Sequence, residues 1–360
     1  MDSESNAPAP VRRLGRRPAL DGLRGLAVLL VICDHAHLPL RAAWIGVDLF
    51  FVLSGFLITS LLLDERARHG RISLRAFYLR RARRILPALA VLTLAVAVVS
   101  VTLHQLQDRW PLWEQIATTW TFTSNATVWL AGAPIGAFTA TWSLACEEQF
   151  YLLWPLALIA MAARGWSARR MLAALGAAVG ALALAAWVAS ATVHSSQAFF
   201  SPLGRGAELL LGCALAVAWR HRLLPTWFES PRTTLAALAV VTLLIVRTPL
   251  DDESTYLLAA GCTALVLLGL LAERSPALTG AFSLRPLRYT GRISYGLYLF
   301  NDPVSRMLHH NLPGRPWQEI APLLLIGSFA CAVPSYHLIE ARFLRRKPSV
   351  TARQEALAAA

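Results

Sequence analysis

Apolar residues in this chain gather in long runs instead of alternating or marking one face of a surface helix. The runs fall near residues 20–37, 44–63, 85–103, 142–163, 171–191, 204–219, 233–248, 255–272, 291–308 and 318–340. A hydrocarbon core about 30 Å thick takes roughly twenty helical residues to cross, and these runs approach that length. The pattern therefore predicts an all-α polytopic membrane protein of about ten transmembrane helices. An even number of crossings brings both termini to one side. Residues 1–19 read as a basic tail, 20–341 as the membrane domain and 342–360 as a second tail. The first run does not end in a small-residue cleavage site, so it reads as a retained helix and not a signal peptide. Residues 104–141, rich in tryptophan, read as a segment lying at the interface or re-entering the bilayer.

Composition strengthens this picture. The 360 residues are 56% hydrophobic and only 15% charged, where soluble domains average about 25% charged. The formal net charge of +13 reads as topology and not as a nucleic-acid surface, because no basic domain lies outside the apolar runs. Arginines collect in residues 12–17, 66–84, 164–170, 220–222, 274–292 and 342–347. The alternate connections, 104–141, 192–203, 309–317 and the acidic Asp251-Asp252-Glu253, carry few. Positive residues stay cytoplasmic, so both termini are expected in the cytoplasm. The high Ala, Arg and Leu content points to a GC-rich bacterium and a plasma (inner) membrane. The five cysteines are solitary and show neither disulfide nor zinc spacing, so no metal is expected.

Ionisable residues inside apolar spans are costly and mark candidate chemistry. Arg24 and His35 are eleven residues apart, about three turns and roughly 16 Å along one helix face. His35 suits a general base that takes a proton from a hydroxyl. The competing reading is a helix-end histidine that merely meets water. Asp48, at a comparable depth on the second span, would orient and stabilise that imidazole. Ser54-Gly55 reads either as helix packing or as a contact to substrate. Arg80-Arg81-Ala82-Arg83-Arg84 leads into the third span. Arg81 and Arg84 share a face and suit phosphates, although a plain cytoplasmic anchor would look the same. Glu147 and Glu148 are adjacent carboxylates within an apolar run, which packing does not explain. Arg205 and Glu208 read as a substrate contact or as a self-satisfied ion pair.

Leu20 to His35, Gly46 to Ile58, Phe77 to Pro87, Thr141 to Pro155, Arg205 to Gly212, Ile293 to Leu299 and Ser335 to Glu340 occur in order. Together they resemble the acyltransferase-3 family of membrane O-acyltransferases over most of the chain. The resemblance implies a ten-helix core that takes an acyl group, commonly acetyl, from cytosolic acyl-CoA. The acceptor implied is a hydroxyl on a saccharide, glycan or metabolite. Arg24 and His35 match the family's Arg-x10-His pattern and take its essential roles. Arg81 and Arg84 match its Arg-x-x-Arg pattern and take donor binding. His35 is then the base, assisted by Asp48 or Glu148, with Ser54, Glu147 and Arg205 toward the acceptor. The ninth-span string departs from the family's Trp-His-Trp-Pro-like form, reading Phe300-Asn301-Asp302-Pro303. The last motif also lacks the proline that normally follows Glu340. A transporter or flippase of a saccharide is the rival class, and it predicts an internal repeat with broken helices, neither of which is visible.

Overall fold

The computed structural model describes residues 11–40, 42–104, 106, 110–131, 135–190, 200–247 and 253–345. The remainder of the two tails and the pair Asp251-Asp252 lie outside the described residues. Among the described residues there is no strand. The helices are α1 (Pro18–His35), α2 (Ile45–His69), α3 (Leu74–Thr102), α4 (Leu112–Trp120), α5 (Ser124–Ala131), α6 (Thr141–Ala163) and α7 (Ala168–Ser190). They continue as α8 (Pro202–Arg220), α9 (Pro231–Arg247), α10 (Glu253–Ala272), α11 (Pro276–Phe282), α12 (Arg285–Arg292), α13 (Ser294–Asn311) and α14 (Trp317–Pro334). After α14 the chain widens into a π turn at Ser335–Glu340 before α15 (Ala341–Arg345).

Each of the ten apolar runs lies largely within one of these helices. Six are long and apolar enough to cross a membrane: α2, α3, α6, α7, α10 and α14 with its extension to Leu344. Helix α3 begins earlier than the apolar run suggests, so the arginine cluster forms its opening turns. Ser73 caps it, its Oγ accepting from the Ala76 N–H at 3.3 Å. Glu65 braces that start, accepting from the Ser73 N–H at 2.9 Å and pairing with Arg80 at 2.8 Å. The tryptophan-rich segment folds into α4 and α5, and Trp120 Nε1 donates to Thr93 Oγ1 at 3.0 Å.

Packing is graded from centre to rim. The apolar window of α2 is 78% buried, and those of α7 and α14 are 17% and 22%. Leu94, Val98 and Val101 of α3, Leu152, Leu153 and Leu156 of α6, Leu184 and Trp187 of α7 and Ile326 of α14 are exposed. Apolar surface on that scale meets lipid, not water.

Two parallel helix pairs organise the interior. Asp48 meets Arg205, the Gly55 carbonyl accepts from Cys213 Sγ, and Asp64 meets Arg220, at sequence separations of 157, 158 and 156. An almost constant offset means that α2 and α8 run side by side in the same direction. Arg24 bonds Ser294, and the His35 carbonyl accepts from Ser305, both at a separation of 270. Thus α1 and α13 are also parallel.

Glycine sets the approach of α2 to α8. A Cβ on Gly55 would stand 2.0 Å from the Leu209 carbonyl oxygen, and one on Gly212 2.1 Å from that of Val52. Small residues are what allow membrane helices such contact. Gly212→Ala is expected to cost about 1–3 kcal/mol through overpacking and to lower the thermal midpoint in detergent. Gly176→Ala on α7, where nothing lies within 4 Å, is the matched control and should leave the midpoint in place.

Candidate active site

Glycines position the first candidate residue. A Cβ on Gly25 would stand 2.2 Å from the Leu287 carbonyl oxygen, and one on Gly291 1.7 Å from that of Asp21. The two glycines thus let α12 seat against α1 backbone to backbone. That contact delivers the first residue of α13, and Arg24 Nη2 donates to Ser294 Oγ at 3.0 Å.

Helix α3 carries Arg81 and Arg84 about 10–15 Å inward from its start. Helix α6 runs the opposite way and brings Glu147 and Glu148 roughly 10 Å in from its own start. The charges therefore meet in the interior, and the carboxylates serve the arginines instead of the far end where His35 sits. Arg81 places Nη2 2.5 Å and Nε 3.2 Å from Glu148 Oε1, and its guanidinium lies 3.6 Å from the centre of the Tyr151 ring. Ser54 Oγ donates to Glu147 Oε1 at 2.7 Å. Tyr295 ties α13 to α3, its hydroxyl donating to the Ile85 carbonyl at 3.1 Å.

Arg84 differs from its neighbour. It is exposed, and among the described residues no hydrogen bond or ion pair engages it. Yet Arg81, Glu147, Tyr151, Tyr295, Arg24 and Glu340 all lie within electrostatic reach. Its guanidinium is thus reachable from outside while charged and phenolic groups of the interior surround it. Glu340 reaches it from the π turn, where Ser335 Oγ donates to Glu340 Oε1 at 2.9 Å. Such turns recur at functional sites.

At the other end of α1, His35 is half-buried and its Nδ1 is hydrogen-bonded to Oδ1 of Asn301. The expected pairing of His35 with Asp48 or Glu148 is not formed. Each carboxylate is bound by an arginine, Asp48 by Arg205 at 2.5 Å and Glu148 by Arg81 at 2.5 Å. A full opposite charge competes better for a buried carboxylate than a neutral imidazole does. Arg205, read as a substrate contact or as a self-satisfied ion pair with Glu208, does form that pair. It is 1% exposed, holds Glu208 at 2.6 Å as well as Asp48, and is packed against Tyr256, Trp142 and Phe51. It belongs to the α2–α8 frame.

The candidate set thus divides. Arg24, Arg81, Arg84, Ser54, Glu147 and Glu148 form one cluster of contacts and electrostatic neighbours, and His35 stands about 16 Å along α1 from Arg24. Sequence reasoning missed Ser294, Tyr295 and Glu340 as members of the arginine end. It singled out the string containing Asn301 only as a departure.

Comparison with known proteins places this helical bundle in the class of acyltransferases. A family model described as an acyltransferase domain, that of the acyltransferase-3 family, matches residues 17–337, and the chain belongs to that family. It is 30% identical over 347 residues to "Peptidoglycan O-acetyltransferase OatA" of Listeria monocytogenes, covering 90% of this chain and 55% of that protein. It is 32% identical over 355 residues to "Putative peptidoglycan O-acetyltransferase YrhL" of Bacillus subtilis, covering 90% and 54%. A "Putative O-acetyltransferase SAS0844" of Staphylococcus aureus is 29% identical over 314 residues, covering 83% and 52%. The chain spans about half the length of these curated relatives. No solved structure matches it.

Proposed function

We propose that the chain moves an acyl group, specifically acetyl, from acyl-CoA to a hydroxyl of a cell-envelope glycan of the peptidoglycan kind. The observation that carries this reading is Arg84, an accessible guanidinium without an internal counter-ion bond, lying within electrostatic reach of Arg24. Phosphates of the donor are the ligands such a site recruits, because guanidinium forks match their oxygens. Arg81 is committed to Glu148 and Tyr151, so it fixes the wall from which Arg84 projects. The pantetheine arm then runs along α1 toward His35. There Nε2 takes the proton of the acceptor hydroxyl, the oxygen attacks the thioester carbonyl, the carbon–sulfur bond breaks, and the CoA thiolate recovers the proton. The relatives named for peptidoglycan O-acetylation support a glycan acceptor, and those named for O-acetylation support acetyl as the group moved.

The same proposal includes ten crossings, with α1, α8, α9 and α13 joining the six long apolar helices. Parity supports the count. Parallel α2 and α8 are then the second and sixth spans, and parallel α1 and α13 the first and ninth. With arginine-rich connections inside, both termini are cytoplasmic, the membrane is the bacterial plasma membrane, and the donor enters from the cytosol.

The test is release of free CoA thiol by purified protein in nanodiscs, given acetyl-CoA and a muramyl glycopeptide. Arg84→Ala is expected to raise the KM for acetyl-CoA roughly 10- to 100-fold, the worth of a charge-assisted contact. An unchanged KM removes Arg84 from the donor site. Absence of both acetyl-CoA binding and turnover, with glycan uptake into vesicles, replaces the acyltransferase reading with transport.

A further inference from the structure

We infer that Asn301 is the positioning residue of His35, holding the imidazole as its Nδ1–H tautomer so that Nε2 is the atom that accepts the proton. The inference rests on the proposed role of His35 as the base. Asn301 is 0% exposed, and its side chain has no freedom to choose which end meets the imidazole. Its Nδ2 donates to the Leu297 carbonyl at 3.1 Å and to the Tyr298 carbonyl at 2.6 Å. Turning the amide over would set Oδ1 against two carbonyl oxygens and leave both repelling it. The backbone of α13 therefore orients the amide with Oδ1 outward, toward His35.

An amide oxygen only accepts. The proton in that bond must then sit on Nδ1 of His35, and in the neutral ring Nε2 keeps its lone pair. The ring is held at its root as well, because Ser305 Oγ donates to the His35 carbonyl at 2.8 Å. Two contacts from one helix thus set both the tautomer and the place of the base.

A neutral orienting group has a further consequence. A carboxylate in the same position would favour the charged imidazolium, which is no base. Other charged or titratable groups lie on the elements around His35, and they are engaged elsewhere. Asp48 of α2 is bound to Arg205. Asp302 of α13 is bound by Arg306 at 3.3 Å. His309 is hydrogen-bonded to the Ser305 carbonyl at 2.8 Å and stacks edge-on with His37. Asp34 precedes His35 in the chain, and successive residues of a helix do not face the same way.

The deciding experiment combines kinetics with nitrogen NMR on the full chain in nanodiscs. With acetyl-CoA and the muramyl glycopeptide as probes, Asn301→Leu is expected to lose roughly a hundredfold in kcat, within the range general-base catalysis supplies, at unchanged KM for acetyl-CoA. Asn301→Asp, assayed at alkaline pH where the imidazole is neutral, keeps an acceptor and recovers most of that loss. In protein labelled with nitrogen-15 at histidine, the His35 signals are those absent from His35→Ala. They are expected to report protonated Nδ1 and bare Nε2 in the native chain, and a mixture of tautomers in Asn301→Leu. Native kcat in Asn301→Leu, or a native His35 protonated at Nε2, overturns the inference. Native turnover in His35→Ala overturns the catalytic reading itself, and the NMR comparison still decides whether Asn301 fixes the ring.

Discussion

Replacing His35 by alanine is expected to remove acyl transfer while leaving acetyl-CoA binding intact. The base contributes about 10²- to 10⁴-fold to such a step, so turnover should fall to the level of slow thioester hydrolysis. The donor's phosphates are recognised about 16 Å away along α1, by side chains that neither touch His35 nor share its helix turn. Arg24 keeps its bond to Ser294, and the α12–α1 contact through Gly25 and Gly291 is untouched. Calorimetric titration with CoA should therefore give the native affinity for His35→Ala and a weaker one for Arg84→Ala. Thiol release should show the reverse ranking, with His35→Ala the more damaged in kcat. Turnover by His35→Ala within a few-fold of native would take the base elsewhere. Loss of CoA binding in the same variant would mean that the two ends of α1 form one site.

The distance between Arg24 and His35 along α1 was legible from sequence because a helix converts spacing into distance. Eleven residues fix both the face and the reach between Arg24 and His35, whatever surrounds them. The apolar runs were legible for the same reason, since crossing a bilayer constrains length and composition directly. Residues with one dominant constraint can be read in this way. Partner choice among charged groups has no such constraint. Asp48 and Glu148 were the carboxylates expected to assist His35, but Arg205 and Arg81 are carried to them by other helices. The apolar run also failed to mark the start of α3, which begins at Leu74 and carries its arginines inward to Glu148. Asn301 was visible only as a departure from a family string. What it does depends on Leu297 and Tyr298 of its own helix, whose i−4 and i−3 carbonyls take up its amide hydrogens. That spacing was available in the sequence, but a polar residue inside a span gives no sign of which of its atoms faces out.

Arg205→Met is expected to be the most destabilising single change outside the site. One guanidinium answers two carboxylates that are 0% and 1% exposed, at 2.5 Å from Asp48 and 2.6 Å from Glu208. Removing it leaves both acids buried without a cation, a defect that costs about 3–5 kcal/mol. The thermal midpoint in detergent, followed by tryptophan fluorescence, should fall steeply, and the Arg205→Met chain is expected to recover only in part when Asp48 or Glu208 alone is made apolar. Replacing all three together, Asp48→Leu, Arg205→Met and Glu208→Leu, should restore the midpoint, since a well-packed apolar cluster matches or exceeds a buried ion set in stability. That triple variant also separates framework from chemistry. If Arg205 only joins α2 to α8, a triple variant of native stability turns over acetyl-CoA at close to the native rate. If it folds normally and is inactive, Arg205 or one of its acids acts on substrate after all, and the enclosure by Tyr256, Trp142 and Phe51 must open during the reaction.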